Sequence, residues 1–198
     1  REPYDAIILS TGARPLKPPV PGIDRRGHFT VRNVPDVDQI QSWIHDAQAM
    51  TAVVVGGGYI GLEMAEQLKH RGLQVTVVEA LPQVMAPLDS DMAPWLHKEL
   101  EANDVRLLLH DPVAAFEAPA TGEIAKASTV VLRSGERLPA DLVVLGLGVR
   151  PDVDLARTAG LQLGELGGIR VNESLQTSDP NIYAVGDAVE VRDAVTGA

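Results

Sequence analysis

Gly56-Gly-Gly58-Tyr-Ile-Gly61 follows directly on the apolar run Ala52-Val-Val-Val55 and opens a stretch with helical spacing. A turn of this kind binds by electrostatics rather than by covalent chemistry. Gly56 permits a tight turn, Gly58 lets the backbone approach a pyrophosphate, and Gly61 lets helix and sheet pack closely. The helix that begins near Tyr59 and Ile60 then offers N–H groups and about half a positive charge to phosphate. Glu79 stands eighteen residues beyond Gly61, at the end of a second apolar run, Gln74-Val-Thr-Val-Val78. The dinucleotide-binding fingerprint expects an acid there, hydrogen-bonded to the adenosine ribose 2′-hydroxyl. Facing a 2′-phosphate across roughly 4 Å would cost that carboxylate on the order of 1 to 4 kcal/mol. Such a cost is a roughly tenfold to several-hundredfold preference for NAD over NADP. Ala80 and Leu81 follow, and neither an Arg nor a Lys stands beside them to receive a phosphate. Gly56, Gly57, Gly58, Tyr59, Ile60, Gly61, Glu79 and Ala80 are therefore candidate NAD(H)-binding residues. A ligand-free glycine turn and a solvated strand-end carboxylate are the plainer readings of the same residues.

The elements that must position these groups can be read on either side. Ala52–Val55, the helix Tyr59–Arg71 and Gln74–Val78 alternate as a βαβ unit. Ala65 keeps the helix face small against the sheet, and Gly72 supplies a positive-φ stop. Before this unit, Val37, Ile40, Ile44 and Ala47 recur at helical spacing, with Asn33 and Asp36 near the start. After it, Asp89 or Ser90 can cap a helix through about Asn103, with Met92, Leu96 and Leu100 on one face, and Val105–Leu109 supplies a third strand. From Val113 to Leu138 β-branched and aliphatic runs alternate with turn residues, and Ser134-Gly135 falls where a hairpin needs it, so an antiparallel meander is expected. Leu142-Val-Val-Leu145 is another buried strand. Ala6–Leu9 is a short strand ending at Ser10-Thr-Gly12, and Pro15, Pro18, Pro19 and Pro21 make residues 13 to 27 an extended connector.

Composition excludes several function classes. A formal net charge of −10 and a pI near 4.9 oppose a nucleic-acid partner, which needs a basic face. No run approaches the roughly 20 apolar residues of a membrane span, and no signal-peptide pattern opens the chain, so a soluble, cytoplasmic protein is expected. Zero cysteines remove disulfides and a cysteine redox centre from these 198 residues. His28, His45, His70, His97 and His110 lack ligand spacing, so no metal is expected. The start at Arg1, almost directly in a strand, and the open finish after Val189 lead to the expectation of a piece truncated at both ends.

Four segments in order, spanning nearly the whole chain, resemble the pyridine nucleotide-disulfide oxidoreductase family of two-dinucleotide flavoproteins. Ser10-Thr-Gly12-Ala-Arg-Pro15 resembles the family's ATG turn, with Ser in place of Ala. Gly56 to Glu79 resembles its NAD(P) fingerprint, and Gly146-Leu-Gly148-Val-Arg-Pro151 its crossing back toward the flavin domain. Thr177-Ser-Asp-Pro-Asn-Ile-Tyr183-Ala-Val-Gly186-Asp187 resembles its second FAD motif, whose Asp contacts the FAD ribityl chain. Gly58–Glu66 and Pro87–Ala93 are most similar to the coenzyme A-disulfide reductase and NADH oxidase or peroxidase branch.

The resemblance implies an α/β fold: a Rossmann-like parallel sheet with helices and an antiparallel meander, flanked by remnants of a split FAD-binding domain. Residues 1–27 and 151–198 would be those remnants and 28–150 the NAD(H)-binding domain. It adds Thr11, Gly12, Gly148, Gly186 and Asp187 to the candidate cofactor-binding residues. It gives two candidate catalytic residues, Tyr59 as the tyrosine that covers the flavin face until NADH displaces it and Glu63 as the glutamate near the nicotinamide carboxamide. The implied activity is hydride transfer from NADH to FAD in an intact, homo-oligomeric enzyme, for reduction of a disulfide such as coenzyme A disulfide, of oxygen or of peroxide. Reduction of a protein electron carrier and a nitrite reductase-like subunit are alternatives, and a non-catalytic NAD-binding module is a reading of another class. The first FAD-binding glycine motif and the redox cysteine fall outside these residues, so the chain alone is expected to bind NADH weakly, to lack FAD and to turn over nothing. The strands Ala6–Leu9 and Ile182–Val185 then either pair with each other or present open edges to a neighbouring chain.

Overall fold

Short aliphatic runs separated by glycine and proline leave the chain few choices besides strand, turn and helix in alternation. The computed structural model describes residues 2–119 and 127–191. Their contacts gather into two units, Arg1–Arg14 with Val149–Ala198, and Pro15–Gly148. Two strands open the chain, β1 (Ile7–Leu9) and β2 (Ala13–Pro15).

The Pro15–Gly148 unit is built on a five-stranded sheet in the order β3 (His28–Phe29), β10 (Leu142–Leu145), β4 (Thr51–Val55), β5 (Gln74–Val78), β6 (Arg106–Leu108), every pair parallel. Its inner strands are almost wholly buried because both faces are covered, and the period-2 alternation of side chains divides them between two cores. Ala52, Val54, Val75, Val77, Leu142 and Val144 face the first, with Ile40, Ala65 and Leu68 from helices. Val53, Val55, Val78, Val143 and Leu145 face the second, with Phe116, Val130, Leu132 and Leu138. The helices are α1 (Val34–Asp46), α2 (Tyr59–His70) and α3 (Ala93–Ala102). Asn33 and Asp36 close a capping box on α1: the Asn33 side chain accepts from the Asp36 N–H at 3.1 Å, and the Asp36 carboxylate accepts from the Asn33 N–H at 3.1 Å.

The second face carries an antiparallel meander, β7 (Val113–Glu117), β8 (Ser128–Leu132) and β9 (Arg137–Ala140). Gly135 makes the turn between β8 and β9 at φ +92°. Residues 120–126 of the expected meander lie outside the described residues. Residues 15–27, read from sequence as a connector, pack into this same unit. Ile23 is buried in the meander-side core, and the Phe116 N–H donates to the Pro21 carbonyl at 2.8 Å. The helix expected from Asp89 or Ser90 starts later, at Ala93. Residues 89–92 instead turn on the Asp89 carbonyl, which accepts from the N–H groups of Met92 and Ala93. Pro94 explains the delay, since it is tolerated in a first turn but would break a helix that had begun at residue 90.

In the other unit the chain continues after Gly148 through β11 (Val149–Pro151), α4 (Asp154–Thr158), β12 (Ile169–Arg170), β13 (Ile182–Ala184), a 3₁₀ turn Gly186–Ala188 and β14 (Val189–Glu190). β1 and β13 pair in parallel, Ile7 with Ile182 and Leu9 with Ala184. The two strands expected as remnants therefore meet each other. β2 pairs with β11, and Arg14 forms ion pairs with Asp152 and with Asp154, the latter at 2.7 Å. No helix among the described residues is long and apolar enough to cross a membrane.

Candidate functional site

Parallel pairing brings the carboxyl ends of β10, β4 and β5 side by side, Leu145 against Val55 and Val55 against Val78. The three loops that follow, Gly146–Gly148, Gly56–Gly58 and Glu79–Leu81, must then lie next to one another. In an open α/β sheet, that is where ligands bind. They border a cleft of about 440 Å³ whose further walls are Pro18, Val20 and Ile23, Ala86 and Pro87, and Pro112, Val113 and Phe116.

Gly56 leaves the strand at φ +106°, and a side chain there would stand 2.3 Å from the Gly146 carbonyl oxygen. Gly61 is set back under the loop: a Cβ on it would meet the Gly56 carbonyl oxygen at 1.9 Å. Gly58 is different, with open space where its side chain would be. As the N-cap of α2 it provides no side-chain cap, so the first-turn N–H groups of that helix face an uncrowded opening. This is the cradle an anionic group needs.

Glu79 directly follows β5 and is half-buried, with its carboxylate held at both oxygens. Oε2 accepts from the Gly57 N–H at 2.7 Å and Oε1 from the Leu81 N–H at 2.8 Å. Each carboxylate oxygen retains acceptor capacity, so two hydroxyl donors could still be received. The Gly57 carbonyl in turn accepts from the Met85 N–H at 2.8 Å, and the Val84 side chain lies against the position of a Gly57 Cβ. Gly57 thus ties the glycine loop to the segment after β5 on both sides of its peptide. Met85 reaches this bond at φ +50°, a left-handed conformation that costs a non-glycine residue of the order of 1 kcal/mol.

Of the residues singled out in the sequence, Gly56, Gly57, Gly58, Glu79, Ala80 and Gly148 line the cleft. Tyr59, Ile60, Gly61 and Glu63 do not line it. Tyr59 is 70% exposed at the first position of α2, and Glu63 is exposed one turn on. In the other unit, Thr11 and Gly12 follow β1 and Gly186 and Asp187 follow β13, the strands pairing in parallel up to Leu9 and Ala184, and the Val185 N–H donates to the Leu9 carbonyl at 3.0 Å. Gly12 and Gly186 both have positive φ with open space at the side-chain position. Sequence reasoning missed the apolar half of the cleft. From sequence Pro18, Val20 and Ile23 read as connector and Val113 and Phe116 as meander, and Pro112 falls between two expected strands. The available signal was the apolar character of Val20 and Ile23 among prolines, unusual for a solvated tether.

Comparison with known proteins bears on the whole chain. The family model described as pyridine nucleotide-disulphide oxidoreductase matches residues 1–198. An NADH oxidase of Methanocaldococcus jannaschii is 44% identical over 195 residues, covering 98% of this chain and 42% of the relative. The crystal structure of reduced Bacillus anthracis CoADR-RHD is similar with a TM-score of 0.91 and 46% identity, over 100% of this chain and 34% of that one. An engineered water-forming NADPH oxidase bound to NADPH, a mutant of the Lactobacillus brevis enzyme, gives a TM-score of 0.85 and 29% identity, over 100% of this chain and 42% of that one. The chain thus spans less than half the length of these proteins. Its match to the family model runs from end to end, and the chain belongs to the pyridine nucleotide-disulphide oxidoreductase family.

Proposed function

We propose that the cleft of the Pro15–Gly148 unit binds NAD(H), and that the chain is the nicotinamide-nucleotide-binding part of an NADH-dependent flavoprotein oxidoreductase. The observation that carries this reading is the carboxylate of Glu79, fixed by the Gly57 and Leu81 amides at the lip of the cleft beside an uncapped helix terminus. A fixed carboxylate can receive the ribose hydroxyls and repels a 2′-phosphate, while the α2 terminus attracts the pyrophosphate. The residues present fit the group, since Gly58 leaves the approach open and Gly56 and Gly61 let loop, helix and sheet close together.

The engineered NADPH oxidase supports the same assignment. It carries replacements of a glycine and, eighteen residues on, of an aspartate–alanine pair, the alanine becoming arginine. Gly61 and Glu79-Ala80 stand at that spacing here. Removing an acid and adding a cation is the change a 2′-phosphate would demand.

When bound, the nicotinamide supplies a hydride and a flavin accepts it. The protein's part is to fix distance and orientation. Tyr59 and Glu63 are assigned, by resemblance, to covering the flavin face and to meeting the nicotinamide carboxamide. Both are exposed at the start of α2, and neither side chain is held by a hydrogen bond among the described residues. Thr11, Gly12, Gly186 and Asp187 would contribute to holding the flavin nucleotide at the carboxyl ends of β1 and β13. The final acceptor would be a disulfide such as coenzyme A disulfide, oxygen or peroxide; the relatives include proteins named NADH oxidase and NAD(P)H sulfur oxidoreductase (CoA-dependent).

Calorimetric titration of the chain with NADH and with NADPH tests this reading. NADH is expected to bind at least tenfold more tightly, and Glu79→Ala to erase most of that difference. Equal binding of both nucleotides by the unaltered chain would remove Glu79 as the selector.

A further inference from the structure

Ile23 and Phe116 form the inner wall of the cleft, come from distant parts of the chain and are both buried. What joins them is a side chain that does not itself line the cleft. His28 lies in β3 at the edge of the parallel sheet, 9% exposed, with its ring turned toward the meander. Its Nδ1 is 3.0 Å from the Ile23 carbonyl oxygen and its Nε2 is 2.8 Å from the Ser128 hydroxyl. A carbonyl can only accept, so Nδ1 carries the proton. In the neutral ring Nε2 then accepts from Ser128. The ring also packs edge-on against Phe116, centroids 4.7 Å apart at 65°.

We infer that His28 is a positioning residue of the nucleotide cleft, its imidazole fixing Ile23 and Phe116 in the arrangement that forms the inner wall. The inference rests on the reading of the cleft as the NAD(H) site. One ring fastens three segments: the turn at residues 21–27 through Ile23, β8 through Ser128, and β7 through Phe116. An aliphatic side chain of similar volume would fill the space, but would leave the Ile23 carbonyl and the Ser128 hydroxyl without their partner. The ring keeps both partners whether neutral or protonated, since the Ser128 hydroxyl donates to a neutral Nε2 and could accept from a protonated one, so burial and not the bridge decides the charge. Burial outweighs the hydrogen bond to the Ile23 carbonyl, which favours protonation, and together with the nearby charges of Arg25 and Lys17, opposed by Asp24, lowers the His28 pKa to about 4. At neutral pH the ring is neutral, donating through Nδ1 to the Ile23 carbonyl and accepting from the Ser128 hydroxyl at Nε2.

The test uses His28→Leu and Ser128→Ala in the 198-residue chain. NAD⁺ affinity is measured by calorimetry at pH 7.5, well below each variant's melting temperature, beside NMR spectra of the Ile23 methyl groups and the Phe116 ring without nucleotide. His28→Leu is expected to weaken NAD⁺ binding about threefold to tenfold, the scale of one or two lost hydrogen bonds. The Ile23 and Phe116 signals should shift or broaden. Ser128→Ala should show a smaller change of the same kind, and it carries the test alone should His28→Leu not fold. A lower melting temperature with wild-type affinity and wild-type Ile23 and Phe116 signals would make His28 merely structural and overturn the inference. If the unaltered chain binds no NAD⁺, the cofactor reading fails. The two sets of wall signals then decide the role of His28, unchanged signals refuting it and altered ones retaining it as the residue that sets the wall.

Discussion

Glu79 and Gly56 differ in how much of their role a residue's identity reveals. A glycine directly after a buried strand announces a tight turn, and Gly56 makes one at φ +106°. Its second constraint, the Gly146 carbonyl oxygen 2.3 Å from any added Cβ, arises only because β10 lies beside β4. Gly56→Ala therefore combines left-handed strain with overpacking, and is expected to destabilise the protein by about 2 to 4 kcal/mol. Urea unfolding with an unchanged m-value would measure it. Glu79 was legible as an acid in the expected place. Its hold by the Gly57 and Leu81 amides was not, because the contact with Gly57 depends on the register of Val55 against Val78. Tyr59 and Glu63 were legible only by resemblance, and an exposed side chain on a helix start carries little information by itself.

Strands and helices with strong periodicity were readable as elements. The alternation of Ala52–Val55, Tyr59–Arg71 and Gln74–Val78 points to a βαβ unit, in which a crossover helix covers two parallel buried strands, and β4 and β5 do pair in parallel. Asp89 and Ser90 have the side chains of helix caps, but α3 starts at Ala93 because Pro94 decides where the backbone can coil. At this scale Asp141 joins two strands. Its buried carboxylate accepts from the Met50 and Thr51 N–H groups at 3.0 and 2.9 Å and from the Thr51 hydroxyl at 2.8 Å, tying the start of β4 to the start of β10. Asp141→Ala would leave these donors without that acceptor in a buried setting. A loss of about 3 kcal/mol is expected, read as a lower urea midpoint.

For the whole molecule, the pH dependence of stability carries the signature of His28. Its folded-state pKa is near 4, below the 6.5 of an unfolded chain, so the unfolded state takes up the proton first. The stability contributed by the neutral ring is complete above about pH 6.5 and is lost as the pH falls toward about 4, a total on the order of 3 kcal/mol. Comparing melting curves of the wild-type protein and His28→Leu at pH 7.5 and 5.5 should show the gap between them narrow at the lower pH, since only the wild-type chain has this proton to take up. A gap that widens instead would contradict the lowered pKa. The sequence by itself determined the local alternation of elements, the glycine turn and the acid that follows it, because these rest on backbone sterics and on the spacing of apolar residues along one chain. Only the tertiary structure decided that the proline-rich segment walls the cleft, that Glu79 is clamped by amides and that a buried histidine joins two of the wall residues. Those contacts pair residues far apart in the chain, and their partners exist only once the sheet has set its strand order and register.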